Sequence, residues 1–133
     1  MEELIITAND KNMEIVNNFI HSLLPKDCGL DVLNKIDLAI EEIFVNVAHY
    51  AYCPEEGKAW IYGSFENNVL TVVLKDKGKE FNPIAKKDPD ITLSAEERNI
   101  GGLGIFLTKK FMNSVDYEYV DGYNILTIKK SIL

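Results

Sequence analysis

The stretch Ile40-Glu-Glu-Ile-Phe-Val-Asn-Val-Ala-His-Tyr-Ala-Tyr52 decides how this chain is read. It continues a pattern that begins at Leu30, in which Leu33, Ile36, Ile40, Ile43, Val47 and Ala51 fall on one stripe. That spacing predicts a long core-facing helix over 30–52, stopped by Pro54 and Gly57. At about 100° per residue, Glu42, Asn46 and His49 cluster beside the apolar stripe, while Glu41 points elsewhere into solvent. Glu42 and Asn46 stand four residues apart, so their side chains can converge on one point. A carboxylate and an amide oxygen are hard ligands suited to Mg²⁺, and a carboxylate can also accept a proton from an attacking hydroxyl. The alternative is an ordinary polar flank on an amphipathic helix.

Outward from this helix the elements follow in a clear order. Glu2–Thr7 reads as a strand, and Met13, Val16, Phe19 or Ile20, and Leu23 or Leu24 recur at helical spacing up to Pro25, with Asn9 or Asp10 as the N-cap. Beyond the long helix, "KAWIYGSFENNVLTVVLKD" reads as a hairpin turning at Asn67-Asn68. A charged, aperiodic segment leads to "LGIFLTKKFM", a short helix opened by glycines. "VDYEYVDGYNILTIKKSI" is a second hairpin, turning at Asp121-Gly122. The order β-α-α-β-β-loop-α-β-β lacks β-α-β alternation. It predicts an α+β two-layer sandwich, a mixed or antiparallel sheet with three helices on one face.

Bulk composition sets bounds on function. A chain of 133 residues is expected to form one domain, 1–133. No apolar run reaches the length that spans a bilayer, and the acidic start is not a secretory signal. Cys28 and Cys53 form no CxxC, so neither a disulfide framework nor a zinc site is expected, and a reducing cytoplasm fits best. The net charge of -7 repels nucleic acid and anionic membranes. A small phosphate ligand stays admissible, because backbone N–H groups, a helix N-terminus or a metal can hold it locally.

Two further segments carry possible chemistry. In "KDKGKEFNP", Asp76 ends a strand and Gly78 permits close ligand approach; a carboxylate there can accept from an exocyclic amine, and the alternative is a plain surface turn. In "NIGGLGIFL", Gly101, Gly102 and Gly104 open a helix whose N-terminus attracts phosphate. Neither a Walker A sequence nor a dinucleotide fingerprint is present.

Taken together and in order, these segments resemble the ATP site of the GHKL (Bergerat-fold, histidine kinase-like) ATPases: histidine kinases, gyrase-type topoisomerases, the mismatch-repair ATPase and anti-sigma factor kinases. Glu42-x-x-x-Asn46 is similar to the family's N box, and Asp76-x-Gly78-x-x-Phe81-x-Pro83 to its first glycine box. Gly101-Gly102-Leu103-Gly104-Ile105 is similar to its second, with an ATP lid expected between the two. The "HYAY" ending, the Phe-x-Pro, the short "LSAEERNIGGLGI" and the final "DGYNILTIKKSI" resemble most closely the stand-alone anti-sigma factors of the serine/threonine-kinase type.

That resemblance implies ATP and Mg²⁺ as ligands. Asn46 would coordinate the metal, with Glu42 close enough to reach it through water. Glu42 would be the general base, and Asp76 would hold the adenine amine. Gly78, Gly102 and Gly104 would let backbone approach the nucleotide. Phe81, Gly101, Leu103 and Ile105 would line its site, Phe81 as a lid-packing residue or else ordinary core, and Arg98 and Lys109 would be phosphate partners, the alternative being exposed, solvated charges. The implied function is an anti-sigma factor that binds a sigma factor and phosphorylates a serine on an anti-anti-sigma (STAS-domain) protein. The alternative is an ATP-binding partner switch without transfer. A cytoplasmic homodimer is implied, with no direct nucleic-acid contact and no membrane. One position departs from the family pattern: kinase members carry a histidine four residues after the N-box asparagine, where this chain has Tyr50. His49 stands one residue earlier and reads as a helix-surface residue.

Overall fold

The computed structural model describes residues 1–52, 55–85 and 102–132. Among the described residues five strands form one sheet: β1 (Glu2–Thr7), β2 (Lys58–Glu66), β3 (Val69–Asp76), β4 (Ser114–Val120) and β5 (Tyr123–Ser131). Their spatial order is β1-β2-β3-β5-β4, and every neighbouring pair is antiparallel. Of the mixed or antiparallel alternatives, the second holds throughout. Three helices, α1 (Met13–Leu23), α2 (Leu30–Asn46) and α3 (Gly102–Phe111), complete the sandwich.

Strand alternation separates the two faces of the sheet. Ala59 and Ile61 of β2, Leu70, Val72 and Leu74 of β3, and Leu126 and Ile128 of β5 are buried. They meet Val16 and Ile20 of α1 and Ile36, Ile40, Ile43 and Phe44 of α2 in one core. On the opposite face, Trp60 and Tyr123 meet edge to face with ring centres 5.7 Å apart. The Lys75 ammonium stands 4.5 Å from the Tyr123 ring centre, and the Lys77 ammonium 5.2 Å from it. Both ammonium groups stand within cation–π range of the ring.

Both hairpin turns use left-handed backbone at two consecutive residues, the geometry that matches strand twist. Asn67 and Asn68 have φ of 52° and 63°, and Asp121 and Gly122 have 53° and 84°. Asn9 caps the short 3₁₀ turn Asp10–Asn12 ahead of α1, accepting from Lys11 N–H. His21 of α1 meets Asp37 of α2 at 2.6 Å, and Asn17 donates to the exposed Glu41 at 3.2 Å. No helix among the described residues is long and apolar enough to cross a membrane.

The long helix predicted over 30–52 is not continuous. It is α-helical to Asn46 and then takes one π-helical turn, Val47–Ala51. The wider turn has tertiary causes. The Ala51 carbonyl accepts from Lys79 N–H at 3.0 Å. The Tyr52 hydroxyl donates to the Lys58 carbonyl at 2.6 Å and accepts from Lys77 N–H at 2.7 Å. These bonds staple the helix end to the segment that follows β3. They also undo the clustering expected of His49. Its ring reaches Asp10 Oδ2 at 2.6 Å and stays largely exposed, away from Glu42 and Asn46.

Candidate functional site

Alternation along β3 points Asp76 inward, toward the helices, where it is only 4% exposed. Its Oδ1 accepts from Gly78 N–H at 2.8 Å and from Asn124 Nδ2 at 2.9 Å. Its Oδ2 takes no donor from the described residues. Burial pushes the Asp76 carboxyl above the usual carboxylate range, and the two donated bonds pull it part of the way back. Asn124 is the residue that sequence reasoning missed. It stands opposite Asp76 in the β3–β5 register. A signal was present: counting by two from Ile128 and Leu126 puts an asparagine on the inward face of β5.

Glu42 and Asn46 sit one turn apart at the end of α2. Glu42 is half-buried, its carboxyl pushed up by burial and pulled down by a hydrogen bond with the Asn46 side chain. That carboxyl lies against the first turn of α3. A Cβ placed on Gly104 would stand 2.0 Å from Glu42 Cδ, closer than any side chain tolerates. The second glycine segment therefore meets the N-box carboxylate directly.

Between Asn46, Asp76 and Asn124 lies a cavity of about 420 Å³. That is within the range of small-molecule sites, roughly 300–1,000 Å³. Ile43, Val47, Leu74, Ile105 and Leu126 form its apolar wall, and Asn46, Asp76 and Asn124 supply polar groups. Tyr50 and Phe81, 61% and 41% exposed, stand at its mouth. An apolar slot with a buried carboxylate at one place and an amide at another suits a flat heteroaromatic ligand with a polar tail.

The sequence-predicted residues distribute plainly. Asn46, Asp76, Phe81 and Ile105 line the cavity. Gly78 bonds Asp76. Glu42 is not part of the cavity wall; its carboxyl bonds Asn46, which is, and lies against Gly104. Gly102 and Leu103 open the backbone of α3. Lys109, near the other end of that helix, is not part of the cavity wall. Arg98, Gly101 and the segment 86–101, which holds most of the expected lid, lie outside the described residues.

The donor set also fits a Mg²⁺ ion. Among the described residues no cluster of three or more His, Cys, Asp or Glu is built to hold a metal alone. One amide and one adjacent carboxylate suit a cation that draws its other ligands from water and phosphate.

Gly78 is confined by backbone, where Gly104 meets the end of a side chain. A Cβ there would stand 2.3 Å from the Ala51 carbonyl oxygen, a backbone atom already committed to Lys79. Gly78→Ala is expected to cost about 1–3 kcal/mol by overpacking and to lower the melting temperature. A thermal melt identical to wild type would show that the loop yields instead.

Both the sequence and the fold match known proteins. The family described as "Histidine kinase-like ATPase domain" matches residues 6–130. The Serine-protein kinase RsbW of Bacillus thuringiensis (strain Al Hakam) is 28% identical over 104 residues, covering 74% of this chain and 64% of the relative. That of Listeria monocytogenes serovar 1/2a is 27% identical over 104 residues, covering 74% and 66%. The chain thus spans just under two thirds of the length of these relatives. Among solved structures, the histidine kinase domain of the Erythrobacter litoralis EL346 blue-light activated histidine kinase has a TM-score of 0.58 at 13% identity, over 92% of this chain and 60% of that one. The Acinetobacter baumannii histidine kinase AdeS has a TM-score of 0.50 at 13% identity, over 99% and 69%. At such identity the structures speak for the fold alone.

Proposed function

The chain belongs to the histidine kinase-like ATPase domain family, and on that premise we propose that it is a single ATP-Mg-binding domain, 1–133, acting as a serine kinase of the anti-sigma type. The observation that carries this reading is the convergence of Asn46 and Asp76, from two separate motifs, on one cavity, with Glu42 hydrogen-bonded to Asn46 and in contact with Gly104. In this reading Asp76 Oδ2 accepts from the adenine amine while the apolar wall takes the ring. Phe81, Leu103 and Ile105 enclose the nucleotide. Gly102 and Gly104, in the first turn of α3, would leave room for the phosphates, and Gly101 and Arg98 are assigned to phosphate binding by the motif alone. Asn46 holds Mg²⁺, with Glu42 near enough to act through water. When bound, the metal offsets the charge of the phosphate oxygens.

Glu42 then takes the proton of a serine hydroxyl. The serine oxygen attacks the γ-phosphorus, the bond to the bridging oxygen breaks, and ADP leaves with that electron pair. The serine belongs to an anti-anti-sigma STAS-domain protein, and the alternating partner is a sigma factor. A cytoplasmic homodimer completes the proposal. The similarity to RsbW serine-protein kinases supports this choice of chemistry.

Incubation with γ-labelled ATP, Mg²⁺ and a genomically neighbouring STAS protein tests it, with label expected on a serine of that protein. A second reading, an ATP-holding switch without transfer, is favoured by one observation. The place four residues after Asn46 holds Tyr50 at the cavity mouth, and His49 turns away to Asp10. Saturable ATP binding with no label on any STAS partner would decide for the switch.

A further inference from the structure

Asn124 is 6% exposed and bonded at both ends of its amide. Its Nδ2 donates to Asp76 Oδ1 at 2.9 Å and to the Lys79 carbonyl at 2.8 Å, with the Gly78 carbonyl at 3.5 Å. Its Oδ1 accepts from Phe81 N–H at 3.1 Å and from the Tyr117 hydroxyl. These partners fix the orientation of the amide. Turned over, it would set an NH₂ against an N–H donor and an oxygen against two carbonyls and a carboxylate. Asn124 therefore does two things at once. It ties β5 and β4 to the segment that follows β3, and it engages the same Asp76 oxygen that Gly78 N–H engages.

We infer that Asn124 is a positioning residue for ligand recognition: it occupies Asp76 Oδ1 and thereby turns Oδ2 to the ligand. The inference rests on the cavity being a nucleotide site. It reaches beyond that reading by assigning the aim of the carboxylate to a residue outside all three motifs. Titratable groups from the neighbouring elements also face Asp76: the hydroxyls of Tyr117 on β4 and Tyr52 after α2, with Glu80 beyond Tyr117. Burial holds both hydroxyls above the ordinary tyrosine range. Neither therefore changes charge between about pH 6 and about pH 9.

The test is Asn124→Asp. The substitution keeps the shape and the acceptor for Phe81 N–H and Tyr117, but replaces the donor facing Asp76 with a second carboxyl. Two carboxylates at hydrogen-bond distance cannot both ionise freely, so the pair shares one proton. On the acid side that proton restores the donated bond; on the alkaline side the bond becomes repulsion. ATP affinity of Asn124→Asp, measured by calorimetry from about pH 6 to about pH 9, is expected to fall as pH rises. It should reach about 10–100-fold below wild type at the alkaline end. Wild type runs the other way, losing affinity only toward acid. Asn124→Ser, which shortens the side chain without adding charge, is expected to bind weakly with no alkaline loss.

An Asn124→Asp profile parallel to wild type, with an unchanged thermal melt, overturns the inference. Carbon-13 NMR of the Asp76 carboxyl supplies a readout that needs no ligand. In Asn124→Ser the Asp76 titration is expected to move upward, because a donor that lowers it is gone. An unmoved titration overturns the inference even if Asn124→Asp fails to fold. Should wild type bind no ATP while the Asp76 titration moves as expected, the nucleotide reading fails and Asn124 remains the residue that sets the carboxylate.

Discussion

Asp76→Asn is expected to raise the dissociation constant for ATP by about 100-fold or more while leaving the fold intact. A hydrogen bond to a charged group contributes about 1.5–3 kcal/mol, or roughly 10–150-fold in affinity. The amide adds a penalty of its own. Oδ1 is engaged by Gly78 and Asn124, both of them donors, so the oxygen of the introduced amide stays there and its NH₂ takes the place of Oδ2. A donor then faces the donor on the base. The stability effect has a separate sign. The folded Asp76 carboxyl lies above its ordinary value, so the fold favours its neutral form. Any stability linked to it is greatest at acid pH and declines as pH rises through the raised value. A neutral amide escapes that decline, so the melting temperature at neutral pH is expected to hold or rise. Wild-type binding should weaken as pH falls into the raised Asp76 range, and the residual binding of Asp76→Asn should not follow. Calorimetry alongside thermal melts checks all three. Wild-type affinity in Asp76→Asn would mean that the base is held elsewhere in the cavity.

Glu42→Gln is expected to reduce phosphoryl transfer by about 10²–10⁴-fold with ATP affinity nearly unchanged. Glutamine keeps the length of the side chain and a hydrogen bond to Asn46, and removes only the proton acceptor. Burial raises the Glu42 carboxyl, which moves a base closer to its working pH. The wild-type rate should accordingly fall on the acid side as Glu42 becomes protonated. Asn46→Ala should instead weaken Mg²⁺-dependent binding, because it removes a ligand rather than a base. Single-turnover assays with a STAS substrate, paired with calorimetry, separate the two. Equal losses of binding in both variants would point to general damage at the end of α2. A wild type that binds ATP but never labels a STAS protein would leave Glu42 a neighbour of the nucleotide and nothing more.

Much of this molecule was legible in local chemistry. Asp76 was legible as the end of a strand, and the alternation along that strand is what turns it inward. Asn67-Asn68 and Asp121-Gly122 marked both hairpins, because few residues accept left-handed backbone at two successive positions. The apolar stripe of α2 and the order of elements then left little choice but an open sheet covered on one side. Asn46, Asp76, Phe81 and Ile105 were named from spacing and resemblance, and the fold brings them to one wall.

Tertiary structure alone decided what depends on residues far apart in the chain. A helix periodicity of about 100° per residue carries His49 beside Asn46. The π-helical turn, anchored by Ala51 to Lys79 and by Tyr52 to Lys77, carries it to Asp10 instead. No local pattern encodes that turn, because its bonds come from a strand end on the far side of the site. The contact of Glu42 with Gly104 likewise exists only once α2 and α3 are side by side. Asn124 reads as one more strand residue until the β3–β5 register sets it opposite Asp76. Composition and periodicity determine which elements form and which faces they bury, since those follow from the backbone and its nearest neighbours. Which oxygen of the Asp76 carboxylate takes donors is settled by Gly78, two residues on, and by Asn124, which only the folded chain brings there.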